Sequence, residues 1–500
     1  MGKAKRAKLK RIEEEKRAEK LREQKRAERR DTMKVTMIAV SILLVIAIIV
    51  GACCLVVTAI RSTGNYLRDK VSITSKNYEV DNAMMSYFFR STVNNYISQY
   101  YYYLSYIGLN TSTALRDQSY SDTMSWYDFF MQQAAGSVAD LVVFNEAARA
   151  EGVELTDADR ARIDKEMENL AKSAEEAKVS TEKFIHDNFG LGVKESDIRA
   201  ALELNYLYQK FYYQVMNGIE VTEKEIKEYY EKNSADYLMV DYKVYTFKVV
   251  DGDKKGAAEK AEKLAEATDE KSFDITLRRL IADDYKDKDD VLDKQIKNTL
   301  VEGEVAKKDS EYSKWLFDEK REVGDTKVIT DDKGNATVYM LVEKQHLDES
   351  ETKNVRHILF ALDDYATDAE CKAAAEALLA QFKADGGDEK KFAELAEKHS
   401  SDMGSAFNGG LYEDVPKGRM VEEFENWLFD DSRKVGDCEI VKTDYGYHIM
   451  YFVGEGRTVW ESGIYNKLLS DKFSDIAKDY SKEYKVEVDY SKLSNIPDIH

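Results

Sequence analysis

The spacing of hydrophobic positions changes along the chain and divides it into distinct segments. Residues 35–60 form one apolar run without a charged residue. From about residue 81 to residue 233, apolar side chains recur at helical spacing, which predicts several helices joined by short turns. After residue 240, apolar and polar positions alternate as in β-strands, with helical stretches between them, and residues 458–482 return to helical spacing. The pattern therefore predicts an α+β protein that follows an apolar segment.

The alternating part of the chain contains an internal repeat. The tetrapeptide WLFD occurs at residues 315–318 and again at 427–430, and VGD occurs at 323–325 and again at 435–437. Both pairs are separated by 112 positions. Two blocks that keep one spacing over a domain-sized stretch indicate that a whole α+β domain is duplicated.

The apolar run is long enough to cross a bilayer, which takes about 20 apolar residues. Residues 1–34 carry 15 basic and 7 acidic side chains, whereas basic residues are sparse just after the run. The positive-inside rule then predicts a single-pass transmembrane helix at 35–60, a cytoplasmic N-terminus and a body outside the cell membrane. Two alternatives stay open: a cleaved signal peptide, whose apolar part is normally shorter, and a lipoprotein modified at Cys53.

Charge and cysteine content exclude several classes of protein. The chain has a net charge of -20, and the part after residue 34 carries 59 basic and 87 acidic side chains. An acidic body disfavours binding to nucleic acid, because phosphates attract cations. The four cysteines have no spacing typical of a zinc site or a disulfide framework. We therefore expect no cofactor and no metal.

Two of the six histidines, His357 and His448, lie in strand-like segments of the second copy of the repeat. The corresponding positions of the first copy hold Val244 and, approximately, Val338. An apolar side chain serves at these positions in the first copy, so packing alone does not require imidazoles there. The joint presence of both histidines in one copy, and their joint absence from the other, favours a functional pair.

The motifs around these histidines occur in a recognisable order. RHIL at residues 356–359 is followed by FAELAEKHSSDMGSA at 392–406, GRMVEEFE at 418–425 and DYGYHIMYF at 444–452. Over about residues 353–455 this order resembles the parvulin-type peptidyl-prolyl isomerases. With the apolar segment and the helical regions added, the chain resembles the PrsA-type foldases and SurA-type chaperones of the bacterial envelope.

The resemblance implies a division of the chain into six parts. They are a basic cytoplasmic tail (1–34), a transmembrane helix (35–60), a helical SurA-like chaperone domain (61–240), a degenerate parvulin-like domain (241–350), a parvulin isomerase domain (351–456) and a C-terminal helix that packs back on the chaperone domain (457–500).

The resemblance also implies a set of site residues. His357 and His448 match the family's two active-site histidines, and Asp402 falls beside the position where the family carries Cys or Asp. The apolar pocket for the proline ring is matched by Leu411, Met420 and Phe424. The family's usual GGDLG loop reads GGLYE at 409–413, and Tyr445 stands where a serine is often found. Rotation about an X–Pro bond crosses a barrier of about 18–20 kcal/mol and breaks no bond, so no cofactor is needed.

The expected function is therefore that of a membrane-anchored, extracytoplasmic isomerase and foldase. Its expected partners are unfolded or newly secreted polypeptides with X–Pro bonds, and the lipid bilayer through residues 35–60. Monomer and homodimer both stay open. One alternative is a holdase chaperone whose parvulin domain is weak or inactive, and another is a structural envelope protein.

Overall fold

The computed structural model describes residues 63–306 and 310–499, together with residues 20, 46, 49 and 50. The predicted tail and transmembrane helix lie outside the described residues, apart from these four positions. Among the residues that the structure describes, no helix is both long enough and apolar enough to span a membrane.

The chain divides into two compact units. One comprises the residues up to Leu207 together with those from Glu483 onward, and the other comprises Tyr208–Lys482. Both helices and sheets are present, as the predicted α+β class requires.

The first unit is mainly helical. Its helices begin at side chains that accept hydrogen bonds from the free N–H groups of the first turn, as Ser125 and Thr156 do in two complete capping boxes. Its strands are β1 (Val71–Thr74), β2 (Glu79–Asp81), β3 (Ser119–Ser121) and β4 (Met124–Ser125), and its helices are α1 (Asn82–Tyr100), α2 (Trp126–Ala150), α3 (Asp157–Glu176), α4 (Thr181–Phe189) and the first part of α5 (Glu195–Gly218).

The C-terminal segment of the chain completes this unit. Strand β13 (Glu487–Val488) pairs with β1, and the order of the small sheet is β13-β1-β2. The short helix α16 (Tyr490–Leu493) follows, and the side chains of Leu493 and Ile496 are buried. The Tyr127 hydroxyl donates a hydrogen bond of 2.8 Å to the Ile496 carbonyl. Segments from the two ends of the described chain therefore share one core.

The second unit contains two four-stranded antiparallel sheets. The strands of the first are β5 (Met239–Phe247), β6 (Leu300–Val305), β7 (Thr326–Thr330) and β8 (Ala336–His346), and those of the second are β9 (Glu351–Ala361), β10 (Leu411–Pro416), β11 (Cys438–Thr443) and β12 (Gly446–Thr458). The first sheet has the order β6-β5-β8-β7, and the second has the order β10-β9-β12-β11.

Helices cover both faces of each sheet, and the two copies use the same plan. Longer helices pack on one face, and the short helix with the WLFD motif packs on the other. The first copy has α7 (Lys254–Leu264), α8 (Glu270–Ile281), α9 (Asp289–Lys297) and the WLFD helix α10 (Glu311–Leu316), and the second has α11 (Asp368–Ala384), α12 (Glu389–His399), α13 (Met403–Ala406) and the WLFD helix α14 (Glu422–Leu428).

The remaining helices of this unit pack beside one another. They are α6 (Glu223–Asn233), α15 (Val459–Glu483) and the second part of α5. The rings of Tyr212 and Phe473 meet edge to face with centroids 5.0 Å apart, and Lys472 pairs with Glu225 at 2.7 Å. Aromatic contacts thus join α5 to α15, and an ion pair joins α6 to α15.

Candidate active site

The two histidines singled out from the sequence lie side by side. His357 on β9 and His448 on β12 occupy the same face of neighbouring antiparallel strands, and their Nδ1 atoms are 3.1 Å apart. The rings are nearly parallel, with an interplanar angle of 18°. The exposed fractions are 4% for His357 and 5% for His448, so the pair is buried.

Asp402 joins the pair from the loop that precedes α13. Its Oδ1 accepts the Gly404 N–H at 3.1 Å and so caps the helix, which fixes the carboxylate in place. Its Oδ2 lies 2.7 Å from His357 Nε2 and accepts the hydroxyl protons of Tyr412, at 2.9 Å, and Ser405. Its side chain is 20% exposed, which makes it more accessible than either imidazole.

Every ring nitrogen of this array has a hydrogen-bond partner. Thr443 Oγ1 accepts the Tyr445 N–H and lies 2.9 Å from His448 Nε2, and the two Nδ1 atoms face each other. His357 Nε2 donates to the carboxylate of Asp402, which can only accept. All four ring nitrogens have partners within the protein. The imidazoles therefore hold the carboxylate and carry no free donor for a substrate.

The surroundings set the charge of each group. Burial, and next the neighbouring His357, lower the pKa of His448 to about 4 against the opposing effect of Asp402. Burial alone would raise the pKa of the Asp402 carboxyl, but hydrogen bonds from His357, Ser405 and Tyr412 outweigh it and hold that pKa well below its usual range. Near neutral pH the array thus presents a neutral His448 and an ionised Asp402.

The low pKa of His448 has a consequence for stability. In the unfolded chain an imidazole has a pKa of about 6.5, so between about pH 6.5 and pH 4 the unfolded state binds the extra proton. We therefore expect the free energy of unfolding to be unaffected by His448 above pH 6.5 and to fall by up to about 3 kcal/mol, on account of this group, as the pH is lowered to 4. Urea unfolding at several pH values should show this loss in the wild type and not in His448→Gln. An equal pH dependence in both proteins would contradict the assignment.

Phe424 and Met420, two of the predicted pocket residues, adjoin the array. Phe424 on α14 is 3% exposed and stands edge-on to both imidazoles, with ring centroids 5.5 Å from His357 and 5.6 Å from His448. Met420 is partly exposed and packs on the same apolar cluster. It lies in the turn before α14, not on that helix, so the i,i+4 spacing of the two residues does not reflect a shared helix face.

The structure does not bring Leu411 to this group. On β10, Leu411 pairs with Arg356 and Tyr412 pairs with Val355. Directly paired residues share a face of the sheet and successive residues alternate, so Leu411 lies on the face opposite His357. Tyr412 takes the position expected for Leu411, with its ring 5.3 Å from that of His357.

A close backbone approach fixes this part of β10. The N–H of His357 donates to the Gly410 carbonyl at 2.8 Å. Gly410 has a φ of 73°, and a Cβ on it would lie 2.2 Å from the His357 carbonyl oxygen. Only glycine fits at this position, which accounts for the second residue of the glycine pair in the sequence.

Sequence reasoning missed three members of the site, Ser405, Tyr412 and Thr443. Ser405 follows Asp402 at a spacing of three, which is a helix-start signal that also brings the two side chains together. Thr443 reaches His448 across the β11–β12 turn, where Val441, and not Thr443, is the direct partner of His448. The family often has a serine where this chain has Tyr445, and here Thr443, two residues earlier, supplies the hydroxyl.

Strand registers show what the first copy carries in place of His357. His357 lies opposite Met450, and Val244 lies opposite Tyr339. Both pairs lie on the face that the WLFD helix covers. Val244 thus corresponds to His357, as the repeat predicts.

The counterpart of His448 differs by one position from the expected one. Leu359 lies opposite His448, and Thr246 lies opposite Thr337. Thr337 therefore takes the place of His448, and Val338 points to the other face with the longer helices. The approximate alignment to Val338 was wrong by one residue, because strand register, and not spacing along the chain, determines the face on which a residue of β8 lies.

Tyrosines fill the corresponding region of the first copy. Tyr312, which the 112-residue offset places at Phe424, stacks on Tyr339 with centroids 4.9 Å apart and an interplanar angle of 2°. Tyr242 packs beside them, and its burial raises its pKa. The first copy therefore offers stacked aromatic rings where the second has its imidazoles and pocket.

A parvulin-type isomerase domain is the class that this sheet and its His–His–Asp array define. The family model of the PPIC-type PPIase domain matches residues 337–454. The Foldase protein PrsA of Staphylococcus epidermidis is 31% identical over 277 residues, which are 50% of this chain and 80% of that protein. That of Staphylococcus aureus strain Newman is 29% identical over 249 residues, which are 43% of this chain and 72% of that protein. The chain belongs to the PrsA foldase family and is a peptidyl-prolyl cis–trans isomerase.

Among solved structures, the peptidylprolyl isomerase (PrsA) from Bacillus anthracis matches at 14% identity. The alignment covers 70% of this chain and 96% of that one, with a TM-score of 0.18. So low a score says nothing about how the parts of the two chains are arranged.

Proposed function

We propose that the second parvulin copy carries all of the isomerase activity, on a foldase anchored in the cell membrane with its body outside. The observation that carries this proposal is the buried array of His357, His448 and Asp402 beside Phe424. The first copy has valine and threonine in place of the two imidazoles, which supports a structural or client-contact role for it.

The roles within the site follow from exposure and hydrogen bonding. Met420 and Tyr412, which are partly exposed, form the apolar surface on which the proline ring rests, and the buried Phe424 packs behind them. Asp402 is the charged group that reaches the substrate, and its charge disfavours the planar amide by acting on the rotating carbonyl. His357 and His448 position this carboxylate, since their ring nitrogens are already engaged. Preorganised charge of this kind lowers a barrier without any reorganisation during the reaction.

Matched variants of the two copies test this division of labour. We expect Phe424→Leu to lower kcat/KM for a proline-containing peptide about tenfold, mainly through a higher KM, because it removes the ring that supports a binding surface used before and during rotation. Tyr312→Leu changes the equivalent position of the first copy and should stay within about twofold of the wild type. A prolyl exchange assay on the full chain measures both. An equal loss in the two variants would place activity in both copies.

Anchoring rests on the uncharged run at 35–60 and on the basic residues before it. Newly secreted polypeptides emerge on the outer face of the membrane, where an anchored foldase meets them first. We expect deletion of residues 1–60 to release the protein from the membrane fraction. Protease added to intact protoplasts should digest the part of the chain after residue 60. Retention of the deleted form on the membrane, or full protection from protease, would overturn the proposed location.

A further inference from the structure

A second group of chemically active side chains lies in the first copy, away from the array in the second. His346 at the end of β8 adjoins Asp241 on β5 and Glu343 on β8. One ligand atom of each lies within 4.8 Å of the others. His346 Nε2 is 3.8 Å from Asp241 Oδ1. An imidazole and two carboxylates are donors that first-row divalent cations take up readily.

Irregular strand pairing brings these residues together. Met239 pairs with His346 and Asp241 pairs with Glu343, and the register shifts on both sides of Asp241. In a regular ladder, side chains alternate between faces, so Glu343 and His346, three positions apart, would point to opposite faces. Bulges re-aim side chains and recur beside binding sites. Here the shift gathers three donors at the end of the strand pair.

The orientation of the imidazole points to a cation. His346 Nδ1 lies 2.9 Å from the Lys344 carbonyl, which can only accept a proton, so Nδ1 carries the hydrogen. Nε2, on the other side of the ring, lies 3.8 Å from Asp241 Oδ1, which is itself held at 2.8 Å by the Gly303 N–H. Metal-bound histidines are typically fixed in this way, by donating the other N–H to a carbonyl.

We propose that Asp241, Glu343 and His346 bind a first-row divalent cation, with Zn²⁺ the best match. The separation of Nε2 and Oδ1 is close to that of two ligands that each lie about 2.0–2.2 Å from one zinc ion. Glu343 Oε1 lies 4.0 Å from Nδ1, and its side chain is 60% exposed, so it would join the ion by turning towards Nε2, with water in the remaining coordination positions. The ion would tie β5 to the end of β8, just before the chain enters the second copy at β9.

The chain's spacing gives no hint of this site. Asp241 is about 100 residues from the other two donors, and no Cys–His motif marks them. Cysteine and histidine spacing led to the expectation that the chain binds no metal, whereas strand register brings these three donors together.

Titration of the full chain with ZnCl₂ by isothermal calorimetry tests the site. We expect His346→Ala and Asp241→Asn each to weaken binding at one site by about 100-fold or more. The matched control is Glu322→Gln, which removes a neighbouring exposed carboxylate that pairs with Lys344 and should leave binding unchanged. MgCl₂ should not compete, because an imidazole is a poor ligand for Mg²⁺.

Two further measurements separate binding from misfolding and from other histidines. Isomerase activity and the thermal unfolding midpoint without metal should be unchanged in His346→Ala. Co²⁺ added in place of Zn²⁺ should give visible d–d absorption that His346→Ala loses. Equal Zn²⁺ affinity and stoichiometry in the wild type, His346→Ala and Asp241→Asn would overturn the proposal and leave an ordinary His–carboxylate ion pair.

Discussion

Asp402→Asn is expected to lower kcat/KM for prolyl isomerisation by about 100-fold, since the loss of one preorganised charged or hydrogen-bonding group costs a factor of this order. Asparagine has nearly the same shape but only one acceptor atom. If its oxygen keeps the Gly404 N–H and the cap of α13, its NH2 group faces the protons of His357, Ser405 and Tyr412, so both the charge and this acceptor are lost. The prolyl exchange assay measures the effect on the full chain.

Two comparisons give this prediction its force. Adding His357→Ala to Asp402→Asn should cost little more, because residues that act as one unit have non-additive effects. His186→Ala, which removes an imidazole from α4 in the other unit, should leave isomerisation unchanged. Suppression of client aggregation should survive in all of these variants. If Asp402→Asn kept more than a third of the wild-type kcat/KM, the charge of this carboxylate would not be essential for isomerisation, and the proposed role of Asp402 would be wrong.

The double variant Leu493→Ala/Ile496→Ala is expected to destabilise the first unit by about 6 kcal/mol, because each large-to-small change in a core costs about 2–5 kcal/mol. Both side chains are buried, and they lie beside the carbonyls that accept the Tyr127 hydroxyl. Hydrogen exchange of the amides of α1 and α2 measures the loss of protection directly.

The same segment offers a matched control. Tyr490 lies on α16 within the same turn region, and its side chain is exposed. Tyr490→Ala should therefore change protection by no more than about 0.5 kcal/mol, as is usual for surface positions. Equal effects from the two proteins would mean that residues after Glu483 pack loosely on the first unit.

The sequence predicts the second copy well because two independent signals agree there. The repeat shows where imidazoles replace apolar residues, and the motifs around His357, Asp402 and His448 support the same reading. The prediction of Leu411 as a pocket residue was wrong by one position, since Tyr412 occupies that place. The face on which a strand residue lies depends on register, and the register of β10 depends on a glycine contact that spacing does not reveal. Thr443 could not be predicted from strand alternation, because a turn brings its side chain to His448.

The end of the chain was harder to predict. Helical spacing at 458–482 correctly indicates α15, which ends at Glu483. The two residues of β13 are too few to show a period, so nothing in the pattern predicts that the chain then returns to pair with β1. A strand of that length forms because a partner strand and an apolar core already exist.

The shared core of the two chain ends has a consequence for the order of assembly. In the first unit, the side-chain amide of Asn82 donates to the carbonyl of Lys492, which is 410 residues away in the chain. The second unit, in contrast, is the continuous stretch Tyr208–Lys482. Because the polypeptide is synthesised from its N-terminus, the stretch that contains the isomerase domain is complete before β13 is available to pair with β1 in the first unit. Until then the helices of the first unit expose apolar surface. We expect the slow step of folding to be the late packing of the C-terminal segment on these helices, which closes a very long loop.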